Sequence, residues 1–164
     1  MHEVIIRPDA YQEPWLSGER GFDWSNGRVT IFGRGDGVAA YVGMDDVAEA
    51  IVRLATAPDP PRLVEFGGPE TLTRNELVRA FEKRLGTSLR VRRVPRLVMR
   101  LGSAALRPIH PGLCSVMGMG LSLDVRTEAP DDRALRELGI QARPVSAYIR
   151  DLVATEKKSG QPAD

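Results

Sequence analysis

The chain has 164 residues, of which 42% are apolar and 27% charged, and its 23 basic and 22 acidic side chains leave a net charge of +1. This composition is typical of one globular domain, or of a piece of a larger one, and it excludes a disordered chain. The balanced charge gives no bulk positive field for nucleic acid or an anionic membrane. One cysteine excludes an intramolecular disulfide, and no apolar run is long enough to span a membrane. We therefore expect a cytoplasmic protein with no metal site and no nucleic-acid partner.

The first quarter of the chain predicts short strands separated by a helix and loops. Val4–Ile6 is a continuous β-branched run, which is typical of a strand covered on both faces. Residues 10–17 predict a short helix, and residues 18–28 predict a long polar loop. The strand, turn and strand that follow are residues 29–32, 33–37 and 38–42.

The middle of the chain alternates helices with a strand. Asp45 or Asp46 is expected to cap a helix that runs to about Ala57, and residues 63–66 predict a strand. Thr73–Glu76 has the pattern of a capping box, and the helix that it begins is expected to end at Gly86. This alternation predicts an α/β fold with a mostly parallel sheet.

The last part of the chain predicts an edge strand followed by helices. Leu89–Val94 alternates apolar and basic residues, and Pro95 begins a helix. Residues 107–123 contain several glycines and prolines, so we expect irregular structure there. The remaining predicted elements are a helix from Asp131 or Asp132 to Gly139, a helix after Pro144, and a frayed tail over 156–164.

Four motifs occur in order along these elements. They are Ile6–Pro8 with Glu13–Leu16, Ile31–Gly35 with Tyr41–Ala50, Val64–Thr73, and Glu137–Ile140 with Pro144. Together they resemble the C-terminal half of an atypical short-chain dehydrogenase/reductase of the NmrA-like, NAD(P)-binding kind. The short-chain-dehydrogenase-like accessory subunit of respiratory complex I shares this layout. The resemblance covers about residues 4–155 and implies the C-terminal part of a Rossmann-like parallel sheet with a small helical substrate lobe.

Two features of that family are missing from the sequence. No G-x-x-G-x-x-G loop follows a strand, and the G-x-G-x-G of residues 33–37 lies between two strands and opens no helix. None of the three tyrosines is followed by lysine four residues later, so no Tyr-x-x-x-Lys pair is present. We therefore expect no catalytic residue and no cofactor bound by this chain alone. The resemblance implies NAD(P)(H) only when the missing N-terminal half is present.

The same resemblance implies that residues 1–155 are an incomplete Rossmann-like domain and that 156–164 are a flexible tail. The Val4–Ile6 strand would then present an apolar edge with unpaired backbone groups. We expect the missing N-terminal half, or a second copy in a homo-oligomer, to cover that edge. A truncated reading of a longer gene is a third explanation.

The resemblance also points to a substrate-side segment after the Arg-Pro strand. Four aromatic residues lie within fourteen positions there, from Tyr11 to Trp24, and core packing is the alternative interpretation. The predicted substrate-side residues, for a small organic ligand, are Pro8, Tyr11, Glu13, Trp15, Trp24, Tyr41, Gly67 and Gly68.

The remaining polar residues have simpler interpretations. His110 predicts a loop residue and Cys114 a small buried residue, unless His110 acts on Cys114 as a base. An arginine-rich segment predicts a solvated strand and helix face, with contact to anionic lipid or nucleic acid as the alternative. Its members are Arg90, Arg92, Arg93, Arg96, Arg100 and Arg107.

Two functional hypotheses follow. The first is the substrate-lobe portion of an NmrA-like dehydrogenase that is not catalytic alone. The second is a non-catalytic binding, regulatory or assembly module that docks a partner through its sheet edge.

Overall fold

The computed structural model describes residues 3–18, 21–106 and 111–159. The chain divides into two compact units, each assembled from separate segments. Unit 1 comprises Met1–Leu16, Ala39–Leu72 and Ala129–Asp164, and unit 2 comprises Ser17–Val38 and Thr73–Glu128. No helix of the described residues is long and apolar enough to cross a membrane.

Strands and helices are mixed up to Val94, and the described elements after it are all helices. The strands are β1 (Ile5–Pro8), β2 (Phe22–Asp23), β3 (Arg28–Phe32), β4 (Val38–Ala40), β5 (Leu63–Phe66), β6 (Thr71–Thr73) and β7 (Arg90–Val94). The helices are α1 (Gln12–Trp15), α2 (Met44–Thr56), α3 (Arg74–Leu85), α4 (Arg96–Leu106), α5 (Pro111–Asp124), α6 (Arg133–Glu137) and α7 (Val145–Ser159).

Unit 1 is built on the parallel pair β1 and β5, in which Pro8 lies opposite Phe66. A single parallel bridge joins Tyr11 to Val42, and β4 pairs with β6. The buried cluster of this unit combines side chains of α2, β5 and the segment around α6. Its members are Val42, Val47, Ala50, Leu54, Val64, Phe66, Leu135, Ile140 and Ala142.

Helix α2 carries apolar residues on two faces. Val47, Ala50 and Leu54 are buried in the cluster of unit 1. The other apolar face is open: Ile51 is 49% exposed and Val52 is 62% exposed. A helix that is apolar on both sides is typical of a position between two packed layers.

Unit 2 is a three-stranded sheet with β3 in the centre, antiparallel to β2 and parallel to β7. An aromatic cluster covers one face of this sheet. The Phe81 ring of α3 lies 5.0 Å from Phe22 and 5.4 Å from Trp24, measured between ring centres. Helix α3 begins with the predicted capping box, in which the side chains of Thr73 and Glu76 each accept from the backbone N–H of the other residue. The helix ends at Gly86, where φ is +73°.

The predicted α/β class with a parallel sheet is confirmed, and most predicted elements are found within a few residues. Five local expectations were wrong, and three of them concern a loop and the ends of helices. The loop over 18–28 contains β2, because Gly27 at φ +68° turns the chain back as a hairpin. The cap of α2 is Gly43, and Asp45 and Asp46 lie in the first turn. Helix α7 extends to Ser159, beyond the predicted start of the tail at Glu156.

Residues 111–124 form helix α5, where the glycine content predicted irregular structure. Gly112 and Gly118 face open space, so they cost the helix only their intrinsic propensity. Gly120 has a packing reason, because a Cβ there would lie 3.2 Å from the Cβ of Phe32. The glycine brings α5 close to β3.

Strand β1 is also less buried than predicted. Its exposure alternates, and Ile5 is 40% exposed. The only strand partner of β1 among the described residues is β5, which covers one edge.

Candidate functional site

The carboxyl ends of β1 and β5 lie side by side, because the two strands are parallel and in register. Asp9 follows β1 and Gly67 follows β5, and the Asp9 N–H donates to the Phe66 carbonyl at 2.9 Å. Ligands of parallel α/β sheets bind outside this end of the strands. We call Pro8–Trp15, Tyr41–Gly43 and Gly67–Gly68 the carboxyl-edge site.

Seven of the eight predicted substrate-side residues belong to this site. The eighth, Trp24, lies in unit 2, where it is 8% exposed and stacks near Phe81. Four residues are partly exposed and form the accessible wall of the site: Pro8, Tyr11, Glu13 and Trp15. Tyr41, Gly67 and Gly68 are buried.

The two glycines of the site are explained by close backbone packing. A Cβ at Gly67 would lie 2.4 Å from the Cβ of Ala40, and a Cβ at Gly68 would lie 1.9 Å from the Tyr41 carbonyl oxygen. The Gly68 N–H donates to the Ala40 carbonyl at 3.1 Å. The space beside these glycines is therefore filled by the chain itself.

Gln12 is the buried polar anchor of the site, and sequence reasoning missed it. It is fully buried, and its Nε2 donates to the Tyr41 carbonyl at 3.1 Å and the Arg143 carbonyl at 2.8 Å. These two bonds tie α1 to the residue that follows β4 and to the segment before α7. No sequence signal marks Gln12, because a glutamine at the start of a helix is ordinarily solvated.

Glu13 belongs to α1, and its carboxylate lies at the N-terminus of α2. Both of its carboxylate oxygens accept from the Met44 N–H at 3.2 Å, and Gly43 offers no side-chain cap there. A carboxylate at a helix N-terminus is stabilised by the helix dipole. Glu13 thus serves as a cap supplied from another element.

Tyr148 is the second residue that sequence reasoning missed. Burial raises the pKa of its phenol and the Glu13 carboxylate raises it further, while the Arg143 guanidinium, 5.2 Å from the ring centre, offsets part of this. The phenol is therefore neutral at physiological pH and available as a hydrogen-bond donor. A catalytic tyrosine that takes part in proton transfer needs the opposite shift.

The glycine loop of unit 2, residues 33–37, is occupied by the carboxylate of Asp124. Asp124, at the end of α5, accepts from the Gly35 N–H at 2.6 Å and from the Arg96 Nε at 2.5 Å. A Cβ at Gly33, where φ is +82°, would lie 1.9 Å from Asp124 Oδ2. Gly33 therefore makes room for the Asp124 side chain.

Asp124 is ionised inside this loop. Burial alone would raise its pKa, but bonds from Arg96 and from the backbone N–H groups of Gly35 and Arg34 outweigh that effect and lower the pKa below its ordinary value. Asn75 reinforces the loop by donating to the Arg34 carbonyl at 3.1 Å. Neither glycine loop fits a pyrophosphate. The Asp124 carboxylate occupies the loop of residues 33–37, and neighbouring parts of the chain fill the space beside Gly67 and Gly68.

The other residues considered from sequence fall in varied places. His110 and Arg107 lie outside the described residues. Cys114 is partly exposed in α5. The arginine-rich segment is divided: Arg93 donates to Asn75 Oδ1 at 2.9 Å and Arg96 binds Asp124, whereas Arg90 and Arg92 are exposed on β7.

No family model matches the sequence, and no curated protein matches it. Solved structures do match. An isoflavone reductase superposes with a TM-score of 0.70 at 20% identity, over 90% of this chain and 51% of its own. An NADPH-dependent quinone oxidoreductase from Escherichia coli, in complex with NADPH, gives 0.68 at 19% identity over 89% and 52%. An NAD-dependent NDP-hexosamine 5,6-dehydratase gives 0.62 at 19% identity over 96% and 46%.

These matches define the class of fold. The chain has a Rossmann-like α/β fold, which it shares with the three solved structures above. It spans about half the length of the solved structures that it matches. The fold that the sequence motifs imply is thereby confirmed.

Proposed function

We propose that this chain is the substrate-side portion of an NAD(P)-dependent reductase of the NmrA-like kind, and that it does not oxidise NAD(P)H alone. The carboxyl-edge site carries the proposal. It lies where parallel α/β sheets bind ligands, and it keeps the Tyr11 and Trp15 rings partly exposed beside the buried anchor Gln12. Two of the similar structures are reductases.

The ligand class that suits this wall is a planar conjugated carbonyl compound. An indole and a phenol ring offer flat apolar surface for stacking. Tyr148 interacts electrostatically with Glu13, which belongs to the site, and with Arg143, and it offers a neutral hydroxyl for hydrogen bonding. Isoflavones and quinones, which the two similar reductases are named for, belong to this class.

The two tryptophans of the chain allow a direct test. Trp24→Phe leaves Trp15 as the sole indole, and Trp15→Phe leaves only Trp24 in the core of unit 2. Titration with a soluble quinone and an isoflavone should quench the fluorescence of Trp24→Phe saturably. Trp15→Phe should respond no more than free tryptophan does. Equal quenching of both variants would contradict a ligand site at Trp15.

A second test addresses the cofactor. Because Asp124 occupies the loop of residues 33–37, we expect NADPH to leave the thermal midpoint of this chain unchanged. A ligand that binds only the folded state raises the midpoint by mass action. A saturable rise with NADPH would show a cofactor site within the chain and would contradict this part of the proposal.

In this proposal, residues 1–155 are an incomplete Rossmann-like domain with residues 156–164 as its tail. An N-terminal half, or a second copy of the chain, would cover the apolar surface of unit 1. That surface is considerable: Ile5 and Leu63 lie opposite each other on β1 and β5 and are 40% and 47% exposed. Ile51 and Val52 form a second exposed patch on the outer side of α2. It is separate from the first, because Ile6 and Val64, the strand neighbours of Ile5 and Leu63, face the cluster that includes α2.

The exposed Ile5 and Leu63 favour the second candidate function, a non-catalytic binding, regulatory or assembly module that docks a partner through its sheet edge. Sedimentation of the purified chain over a range of concentrations distinguishes the two. A discrete dimer that Ile5→Lys with Leu63→Lys dissociates would favour the module, because both residues lie exposed on the β1–β5 sheet. Val125→Lys, at a position 59% exposed in unit 2, is the matched control and should leave the dimer intact. A monomer, or open-ended aggregation, would favour the incomplete domain.

A further inference from the structure

We propose that the β3–β7 face of unit 2 binds a phosphorylated small molecule. Strands β3 and β7 are parallel and in register, with Arg28 opposite Arg90 and Thr30 opposite Arg92. Because side chains alternate between the faces of a strand, these four residues share one face. The opposite face carries Val29 and Ile31, which are each 1% exposed and belong to the core. We call the four-residue surface the arginine face.

The arginine face carries three guanidinium groups and has one carboxylate beside it: Asp23 of β2 lies opposite Arg28, and its side chain accepts from Ser25 and Asn26. Arg28, Arg90 and Arg92 are exposed, and no carboxylate of the described residues forms an ion pair with them. Their neighbour Arg93 is already bound to Asn75 and to the Arg34 carbonyl. Three guanidinium groups on adjacent strands repel one another, so an anion placed between them is favoured.

The shape of this surface favours a small ligand. A shallow cavity of about 320 Å³ lies over it, lined by residues 28–30 of β3 and 90–92 of β7. That volume falls within the range of small-molecule sites, about 300–1,000 Å³. None of the six lining residues is aromatic, whereas single-stranded nucleic acid is bound by aromatic stacking beside the basic groups.

The donor set favours a phosphoryl group. A guanidinium presents two parallel N–H groups that match two oxygens of a phosphate, and Thr30, opposite Arg92 on the same face, adds a hydroxyl donor. Two or three charged forks can surround a dianion without help from a metal. The inference concerns unit 2 alone and is independent of the proposed reductase function.

The test uses inorganic phosphate as the probe, with sodium chloride at the same ionic strength as the reference. We expect phosphate to raise the thermal midpoint of the chain and to give a saturable binding isotherm. Arg28→Gln and Arg92→Gln should each weaken phosphate binding about 10-fold or more, the loss expected for a charged hydrogen bond. Arg92→Lys should recover only part of the affinity, because lysine lacks the fork.

The matched control is Arg62→Gln, which removes the same charge from an exposed position of unit 1. It should bind phosphate as the unchanged chain does. Arg90→Gln supplies a second signature: it should raise the midpoint in chloride by relieving repulsion and reduce the response to phosphate. The proposal is overturned if Arg62→Gln loses as much affinity as Arg92→Gln, if chloride reproduces the phosphate effect, or if a short single-stranded DNA binds and phosphate does not compete.

Discussion

The two glycine loops of this chain look alike in sequence and differ in what fills them. In unit 1, Gly67 and Gly68 follow a parallel strand and their missing side chains make room for the backbone of Ala40 and Tyr41. In unit 2, Gly33 and Gly35 take positive φ and their loop surrounds the Asp124 carboxylate. A glycine-rich loop in an α/β sequence therefore has at least two structural explanations before a phosphate is invoked.

The largest expected effect comes from forcing a side chain into the loop of unit 1. Gly68→Ala places a Cβ 1.9 Å from the Tyr41 carbonyl oxygen, and backbone cannot move aside as a side chain can. We expect a loss of about 3 kcal/mol in the free energy of unfolding, measured by urea denaturation. Gly118→Ala is the control, and it should increase the free energy of unfolding by about 1 kcal/mol, because that helical glycine faces open space. A tolerated Gly68→Ala would contradict the backbone explanation.

Removing the carboxylate should be nearly as costly in unit 2. Asp124→Asn keeps the shape but leaves Arg96 without its ionised partner, and we expect a loss of about 2–3 kcal/mol at neutral pH. The folded pKa of Asp124 lies below its unfolded value of about 3.9, so its stabilisation is present above that pH and is lost as the pH falls through the folded pKa. Denaturation at neutral and acidic pH should show the gap between the two proteins closing. A gap independent of pH would refute the ionised state.

Gly33→Ala distinguishes the clash with Asp124 from the strain of positive φ. Gly33 and Gly27 have φ of +82° and +68°, but only Gly33 has a neighbour within 4 Å. Gly27→Ala should cost about 1 kcal/mol from the left-handed backbone alone, and Gly33→Ala about 2 kcal/mol. Adding Asp124→Ala should remove the extra cost of Gly33→Ala. Additive costs in that double-mutant cycle would mean that the carboxylate and the glycine are independent.

The smallest effect concerns Tyr148 in unit 1. The raised pKa of this phenol means that its contribution to stability is present below pH of about 10 and is lost as the pH rises through the folded pKa. Glu13→Gln removes one of the two raising causes and should lower the Tyr148 pKa, seen by ultraviolet titration of tyrosinate. Tyr148→Phe identifies which of the three tyrosines is responsible. A titration curve unchanged by Glu13→Gln would remove Glu13 as a cause.

Local chemistry accounts for what the sequence predicts well. The capping box at Thr73 and the helix stops at Gly86 and Gly139 depend on a few neighbouring residues, and the structure has all three. The helix over 111–124 was missed because its glycines were read as breakers, while the reason for Gly120 is Phe32, far away in sequence.

The candidate site was harder to predict because its key contacts are distant along the chain. The Gly35 N–H and the Asp124 carboxylate are 89 positions apart, and Gln12 reaches the Arg143 carbonyl across 131. No local sequence pattern indicates that Asp124 or Gln12 is buried. The parallel character of the sheet, in contrast, was predicted from strands that alternate with helices, but the pairing of β1 with β5 was not.

The interleaving of the two units has a consequence for biogenesis. The chain enters unit 2 at residue 17, returns to unit 1 at 39, leaves again at 73 and returns at 129. Leu135, Ile140 and Ala142 complete the core of unit 1, so that core cannot close until most of the chain has left the ribosome. Contacts of such high sequence separation slow folding. A nascent chain released early would expose unpaired strands, and no single cut of the gene would yield either unit intact.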